Sequence, residues 1–465
     1  MINAKQNNTD LTAISRKRAK LLVGNVNCLT NRSVSDVVSW CYEDIVDPYR
    51  AITMIVLCTG WSVKKLLSNS TSLKCHEISE NASVGLLQSN WVFATFSSNA
   101  TSKTDFETTL KTFFIPFPSI FFPPLQELRS LSLDPEVVAK KINENLAKLP
   151  NHKFQKVTLL RLQHHINFIR YQYELSSSDI DFIADLDFKS SPHSHYGHRS
   201  LAVVYSNLKR YVDSLHEVVS NTEFHFPTII TDKRLGGHRV VCDQSVKDML
   251  NFLIQRGSVR GNSLENIKNR HNNYTLYVVC VLQLCSFLRP VRMNAVLLKN
   301  FEFGFKSILI EDKGFQSRRR VPICQFGQQC IANYIEYLKS LSKKYRFLHG
   351  DLARTIDQAL NSQTSVFHYI GESEIKIFTP AVHTPMILSE YYLLPDNWAR
   401  HKVKTILLDD GAPTEHVKRF MGHVEDFECI EAKFHTTSYS ELEPISKRIN
   451  DWLESLGGIN WQLQI

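Results

Sequence analysis

The stretch that decides the fold runs Asn397-Trp398-Ala399-Arg400-His401-Lys402-Val403-Lys404-Thr405-Ile406-Leu407-Leu408, and continues through Gly411 and Pro413 to Gly422-His423. Val403, Ile406 and Leu407 share one helical face, so the spacing predicts a helix over 400–408. Gly411 stops it and Pro413 opens a second helix that buries Val417, Phe420 and Met421 and ends at Gly422. A helix–turn–helix of this kind brings Arg400 and His423 near one another across 23 positions of chain.

Working outward, a second arginine lies in Leu284-Cys285-Ser286-Phe287-Leu288-Arg289-Pro290. The apolar density of 274–288 predicts a buried helix, and Pro290 cannot continue it but can begin the next. Arg289 is therefore expected at a helix–helix junction, with a helix over 291–298 after it. Segments 301–310 and 319–323 read as two strands rich in β-branched and aromatic residues, with Lys313 in the turn between them. Fixed guanidinium forks, a proton donor and a neutral hydrogen-bond donor are what an anionic phosphoryl transition state requires.

The order Arg289, Lys313, Arg400, Gly422-His423 resembles the catalytic domain of the tyrosine recombinases, or phage-type integrases, over about residues 240–465. The resemblance implies a mainly α fold with a small antiparallel β-sheet: a helical core-binding domain followed by an α+β catalytic domain. It implies a double-stranded DNA substrate, a 3′-phosphotyrosyl intermediate, no metal or other cofactor, and self-association into a tetrameric synapse. Arg289 and Arg400 match the family's two phosphate-gripping arginines, Lys313 its general acid, and His423 its late phosphate-binding histidine.

The chain departs from the family pattern at three places. Asn397 replaces the histidine that usually opens the box, and an amide donates a hydrogen bond but holds no titrating proton. Arg292 replaces an acidic residue. The nucleophilic tyrosine normally follows the late histidine by about nine positions, where this chain has Ala432; its first tyrosine is Tyr439, 16 after His423. Tyr439 opens an amphipathic helix bearing Leu442, Ile445, Ile449, Trp452 and Leu453. It reads either as the nucleophile on a longer connection or as a helix-terminal ring with a wet hydroxyl.

The remaining chain is less specific. Residues 1–130 have no readable role and end in the Phe/Pro run 113–124, expected to be a linker or docking segment. Residues 131–235 read as a helical domain, with helices from Pro135, over 156–173 and over 201–219. Its cations suit either a DNA clamp or an ordinary solvated surface. With the resemblance, Arg161, Arg170, Lys209 and Arg210 are expected to hold DNA, joined by Arg318, Arg319 and Lys402 from the carboxy-terminal half. His193, His195 and His198 lie in a Ser/Pro/Gly-rich loop expected to be exposed and to bind no metal. A hydrophobic share of 43% and a charged share of 22% suit a globular protein. The net charge of +8 permits a polyanionic partner without demanding one. Ten scattered cysteines without zinc-binding spacing fit a reducing cytoplasm, and no apolar stretch is long enough to predict a membrane span.

Overall fold

A computed structural model describes residues 28–67, 75–76, 91–97, 112–173, 175, 177–184, 198–217, 233–236, 240–258, 261, 263–302, 304–311, 318–388, 397–422 and 439–461. Described residues up to 236 and those from 240 onward form two compact units, each with its own hydrophobic core. Both are mainly helical, with small antiparallel sheets. No described helix is long and apolar enough to cross a membrane.

The first unit is built around α2 (Pro48–Thr59), whose residues from Ala51 to Thr59 are all buried. Asp47 caps its start by accepting from Tyr49 N at 2.8 Å, and Gly60 ends it in the left-handed region. Around it lie α1 (Asn31–Glu43), α3 (Phe122–Ser130), α4 (Pro135–Leu146) and α5 (Leu201–Glu217). Strands β1 (Cys75–His76), β2 (Trp91–Ser97) and β3 (Thr112–Pro118) form an antiparallel sheet in that order, and β4 (His198–Ser200) pairs with β5 (Arg234–Gly236).

Four expectations change here. The boundary anticipated near residue 130 is not one: a single core runs from Leu29 to Leu235, and the Tyr211 hydroxyl of α5 donates to the Leu57 carbonyl of α2 at 2.6 Å. The Phe/Pro run is no linker. It forms β3, with Pro116 opposite Phe93 and Pro118 opposite Trp91, and then opens α3 with prolines in its first turn. The helix over 156–173 is broken at His164 into two short helices, Leu159–Gln163 and His165–Ile169, and a 3₁₀ turn. Leu160 consequently faces solvent, as does Val137 on α4, where Val138, Ile142 and Leu146 carry the buried face. His198, expected on an exposed loop, is fully buried, and its Nδ1 accepts from Arg234 Nε at 3.1 Å. His193 and His195 lie outside the described residues.

The second unit is organised by α7 (Leu264–Ser286), buried without interruption from His271 to Ser286. Helices α6 (Asp243–Gly257) and α8 (Gln325–Tyr345) pack against it, followed by α9 (Gly350–Leu360) and α10 (Pro380–Leu388). Strands β6 (Phe301–Glu302), β7 (Ser307–Glu311) and β8 (Arg318–Pro322) form an antiparallel sheet, with Ile308 opposite both Phe301 and Val321. The expected strand over 301–310 is thus two strands, divided where Gly304 and Phe305 take positive φ. The helix expected over 291–298 is a 3₁₀ segment, Pro290–Ala295, that buries Met293 and leaves Val291 exposed. The carboxy-terminal helices are α11 (Trp398–Asp409), α12 (Thr414–Met421) and α13 (Tyr439–Leu456).

A short hairpin of β9 (His368–Ile370) and β10 (Ile375–Ile377) is held to α7 by side chains. Asn272 acts as a strand neighbour, donating to the Ile370 carbonyl at 2.9 Å and accepting from its N–H at 2.8 Å. His271 Nε2 lies 3.1 Å from the His368 carbonyl. Burial, reinforced by the neighbouring His368, pushes the His271 pKa down to about 3, and burial pushes His368 down to about 4. In the unfolded chain both titrate near ~6.5. Unfolding below that pH takes up protons, so stability present above pH 6.5 is lost as pH falls toward 4. Each histidine should contribute about 1.4 kcal/mol per pH unit in that window. Urea denaturation at pH 7 and pH 5 measures the loss, and His368→Gln should flatten the slope.

Candidate active site

The amino-terminal wall of the site is the end of α7. Phe287 takes the left-handed conformation (φ 54°, ψ 23°), and its N–H caps the helix on the Gln283 carbonyl at 3.0 Å. A non-glycine residue adopts this only at a cost of about 1 kcal/mol, which here is offset by burial of its ring edge-on to Phe420, centroids 5.6 Å apart. The chain then extends through Arg289, whose carbonyl accepts from Arg292 N at 2.9 Å as the 3₁₀ segment begins. The Arg289 guanidinium is half-buried; its Nε is buried with no hydrogen-bond partner, and it meets no carboxylate among the described residues.

Arg400 stands in the first turn of α11. Asn397, also left-handed at φ 62°, accepts from the N–H groups of Arg400 and His401 at 2.9 and 3.2 Å. Asparagine tolerates this conformation better than most residues, which accounts for it at this junction. The Arg400 side chain is only 1% exposed. Its Nη1 donates to the Phe287 carbonyl and its Nη2 to the Met421 carbonyl at 2.9 Å. One guanidinium therefore ties the end of α7 to the end of α12, each within two residues of an expected site residue, Arg289 and His423.

The hairpin enters from the third side. Arg319 on β8 donates from Nε to the Phe420 carbonyl at 3.1 Å and lies across Gly422. Gly422 ends α12 at φ 69°, and a Cβ there would fall 2.6 Å from Arg319 Nη1 and 3.0 Å from its Cζ. Only glycine meets both demands.

Beneath this, Asp243 at the start of α6 joins two helices. Its Oδ1 lies 2.9 Å from Lys402 Nζ and accepts from Trp452 Nε1 at 3.0 Å. It thereby fixes α11 against α13, the helix that begins at Tyr439. Phe326 N donates to Asn450 Oδ1 at 2.9 Å, and Arg448 pairs with Asp410, adding further anchors for α13.

Of the residues expected from sequence, Arg289, Asn397, Arg400 and Arg319 are brought to this corner of the second unit. Lys313 and His423 lie outside the described residues, as do the side chains of Arg318 and Tyr439. Lys402 was expected to face DNA; it is buried against Asp243 because α11 is covered along that flank. Arg170 is likewise buried. Arg161 is half-buried with Nη1 donating to the Lys156 carbonyl, Lys209 pairs with Asp213 at 2.8 Å, and Arg210 is exposed. Sequence reasoning missed Asp243 and the part Arg319 plays against Gly422. A signal was present for the latter, since a glycine ending a helix beside a motif histidine leaves room for a neighbouring side chain. No group of potential ligands that could hold a metal ion occurs among the described residues. No protein-family model matches the chain, and neither does any curated protein or solved structure.

The two arginines should separate in a stability measurement. Arg400→Leu strands two buried carbonyls and should cost about 3 kcal/mol or more. Arg289→Ala removes no partner and should change stability by less than about 0.5 kcal/mol. Gly422→Ala should cost about 1–3 kcal/mol through left-handed strain and displacement of Arg319. Urea unfolding of the three variants gives the ordering, and equal losses for Arg289→Ala and Arg400→Leu would contradict it.

Proposed function

We propose that the chain is a site-specific DNA strand transferase of the tyrosine-recombinase type, acting on double-stranded DNA as a self-associated synapse. The observation carrying this reading is the Arg400 guanidinium bound to the carbonyls of Phe287 and Met421. It joins the end of α7, two residues before Arg289, to the end of α12 at Gly422, as a pocket built on the motif order would need. The unpartnered Arg289 adds support. A half-buried, permanently charged guanidinium without a carboxylate is costly for structure alone and suits an anionic ligand that arrives later.

In this mechanism the Tyr439 hydroxyl attacks a DNA phosphorus, forming a 3′-phosphotyrosyl bond and releasing a 5′ hydroxyl. Arg289 and Arg400 stabilise the negative charge of the pentacoordinate phosphorane, and His423 and the Asn397 amide donate to its oxygens. Lys313 protonates the departing 5′ oxygen. Attack by a 5′ hydroxyl from another strand reverses the step, conserving the bond energy without a nucleotide cofactor.

A second reading is favoured by Asn397 and Ala432, which replace the family's box histidine and usually spaced tyrosine: a DNA-binding protein that retains the pocket without cleaving. The test uses nicked duplexes tiled across the DNA on either side of the protein's own coding sequence. Wild type should leave a detergent-resistant covalent adduct that is absent from Tyr439→Phe and reduced at least ~100-fold in Arg289→Ala. A salt-sensitive mobility shift without adduct would select the binding protein. An adduct persisting in Tyr439→Phe would reject that residue as nucleophile, and absence of both shift and adduct would reject the DNA reading.

A further inference from the structure

The first unit carries a cleft that the reading above does not use. Its walls are the first turn of α1 (Thr30, Arg32, Ser33) and the segment 151–161 (Asn151, Phe154, Gln155, Lys156, Arg161), which line an open cleft of about 540 Å³. That lies within the range of small-molecule sites.

The cleft is built by contacts between residues distant in sequence. Gln155 spans it, accepting from Thr30 N at 2.8 Å and donating from Nε2 to the Cys28 carbonyl at 2.5 Å. Asn151 donates from its backbone N and its Nδ2 to Asp36 Oδ2 at 3.1 and 2.6 Å. These bonds fix Asn151 and Gln155 in the walls, with the Asp36 carboxylate behind Asn151. The lining contains three cations and no acidic residue. Arg32 and Lys156 are exposed and meet no carboxylate among the described residues. At the rim Phe154 is 88% exposed, a large ring left in water.

Arg32 and Lys156, neither meeting a carboxylate among the described residues, beside an exposed aromatic ring match a ligand that joins a phosphate to a planar base. We infer that this cleft binds a nucleotide, its phosphate on Arg32 and Lys156 and its base stacked on Phe154. The nucleotide is either free in solution or an unpaired residue of a nucleic-acid strand. The inference rests on the cleft alone and stands apart from the strand-transfer reading.

The experiment titrates full-length protein with thymidine monophosphate, with a fluorescent oligothymidylate and with inorganic phosphate. Saturable binding of the oligonucleotide alone assigns a strand, and comparable binding of the mononucleotide assigns a free ligand. In either case Phe154→Ala should weaken binding about tenfold or more, Arg32→Ala alone should weaken it and flatten its salt dependence, and Arg32→Ala with Lys156→Ala should abolish it. All three side chains are exposed, so unchanged circular dichroism and melting are expected of the variants. Unaltered binding by the double variant would overturn the inference. So would inorganic phosphate competing as well as nucleotide with Phe154→Ala having no effect, and so would no binding of either nucleotide probe at millimolar concentration.

Discussion

A single buried guanidinium holds one corner of the second unit together. Arg400 donates to backbone carbonyls 113 and 21 positions away along the chain, and both acceptors stand at helix ends where the backbone has no helical partner for them. Placing one there satisfies orphan carbonyls and fixes the angle between the ends of α7 and α12. The local strain around it fits this view. Phe287 and Asn397 both adopt left-handed backbone conformations on segments that meet at Arg400. Non-glycine residues persist in such conformations where surrounding contacts over-determine them.

The layer below works differently. Asp243 contacts a buried ammonium on α11 and an indole N–H on α13, so one half-exposed carboxylate sets the spacing of two helices. Paired in this way, the buried Lys402 is tolerable where an isolated charge would not be. Arg319 closes the arrangement from the sheet side, lying in space that a side chain at position 422 would otherwise fill.

Much of this corner could be read from local punctuation in the sequence. Gly411, Pro413 and Gly422 mark the ends of α11 and α12, and the apolar density of 274–288 marks the buried part of α7. What the sequence concealed is burial that runs against residue type. From Trp398 to Thr405 every residue of α11 is buried, including Arg400, His401, Lys402 and Lys404. A periodicity argument assigns such a charged face to solvent, because it cannot see that several elements pack around one helix. The break at His164 escaped for a related reason. Apolar spacing over 156–173 suits a continuous helix, and only tertiary packing divides it. The supposed boundary near residue 130 followed from composition, whereas the Tyr211–Leu57 hydrogen bond joins residues 154 positions apart.

The two prolines of β3 have a bearing on the molecule's behaviour at high concentration. Among the described residues β3 is an edge strand of its sheet, and Pro116 and Pro118 occupy alternate positions on it, opposite Phe93 and Trp91. Neither has an N–H, so the side of β3 turned away from β2 lacks donors at two successive outward-facing sites. An incoming strand would find acceptors there but an incomplete ladder. An aromatic-rich edge that could otherwise seed intermolecular β-pairing is thereby blunted, which guards the chain against fibrillar self-assembly.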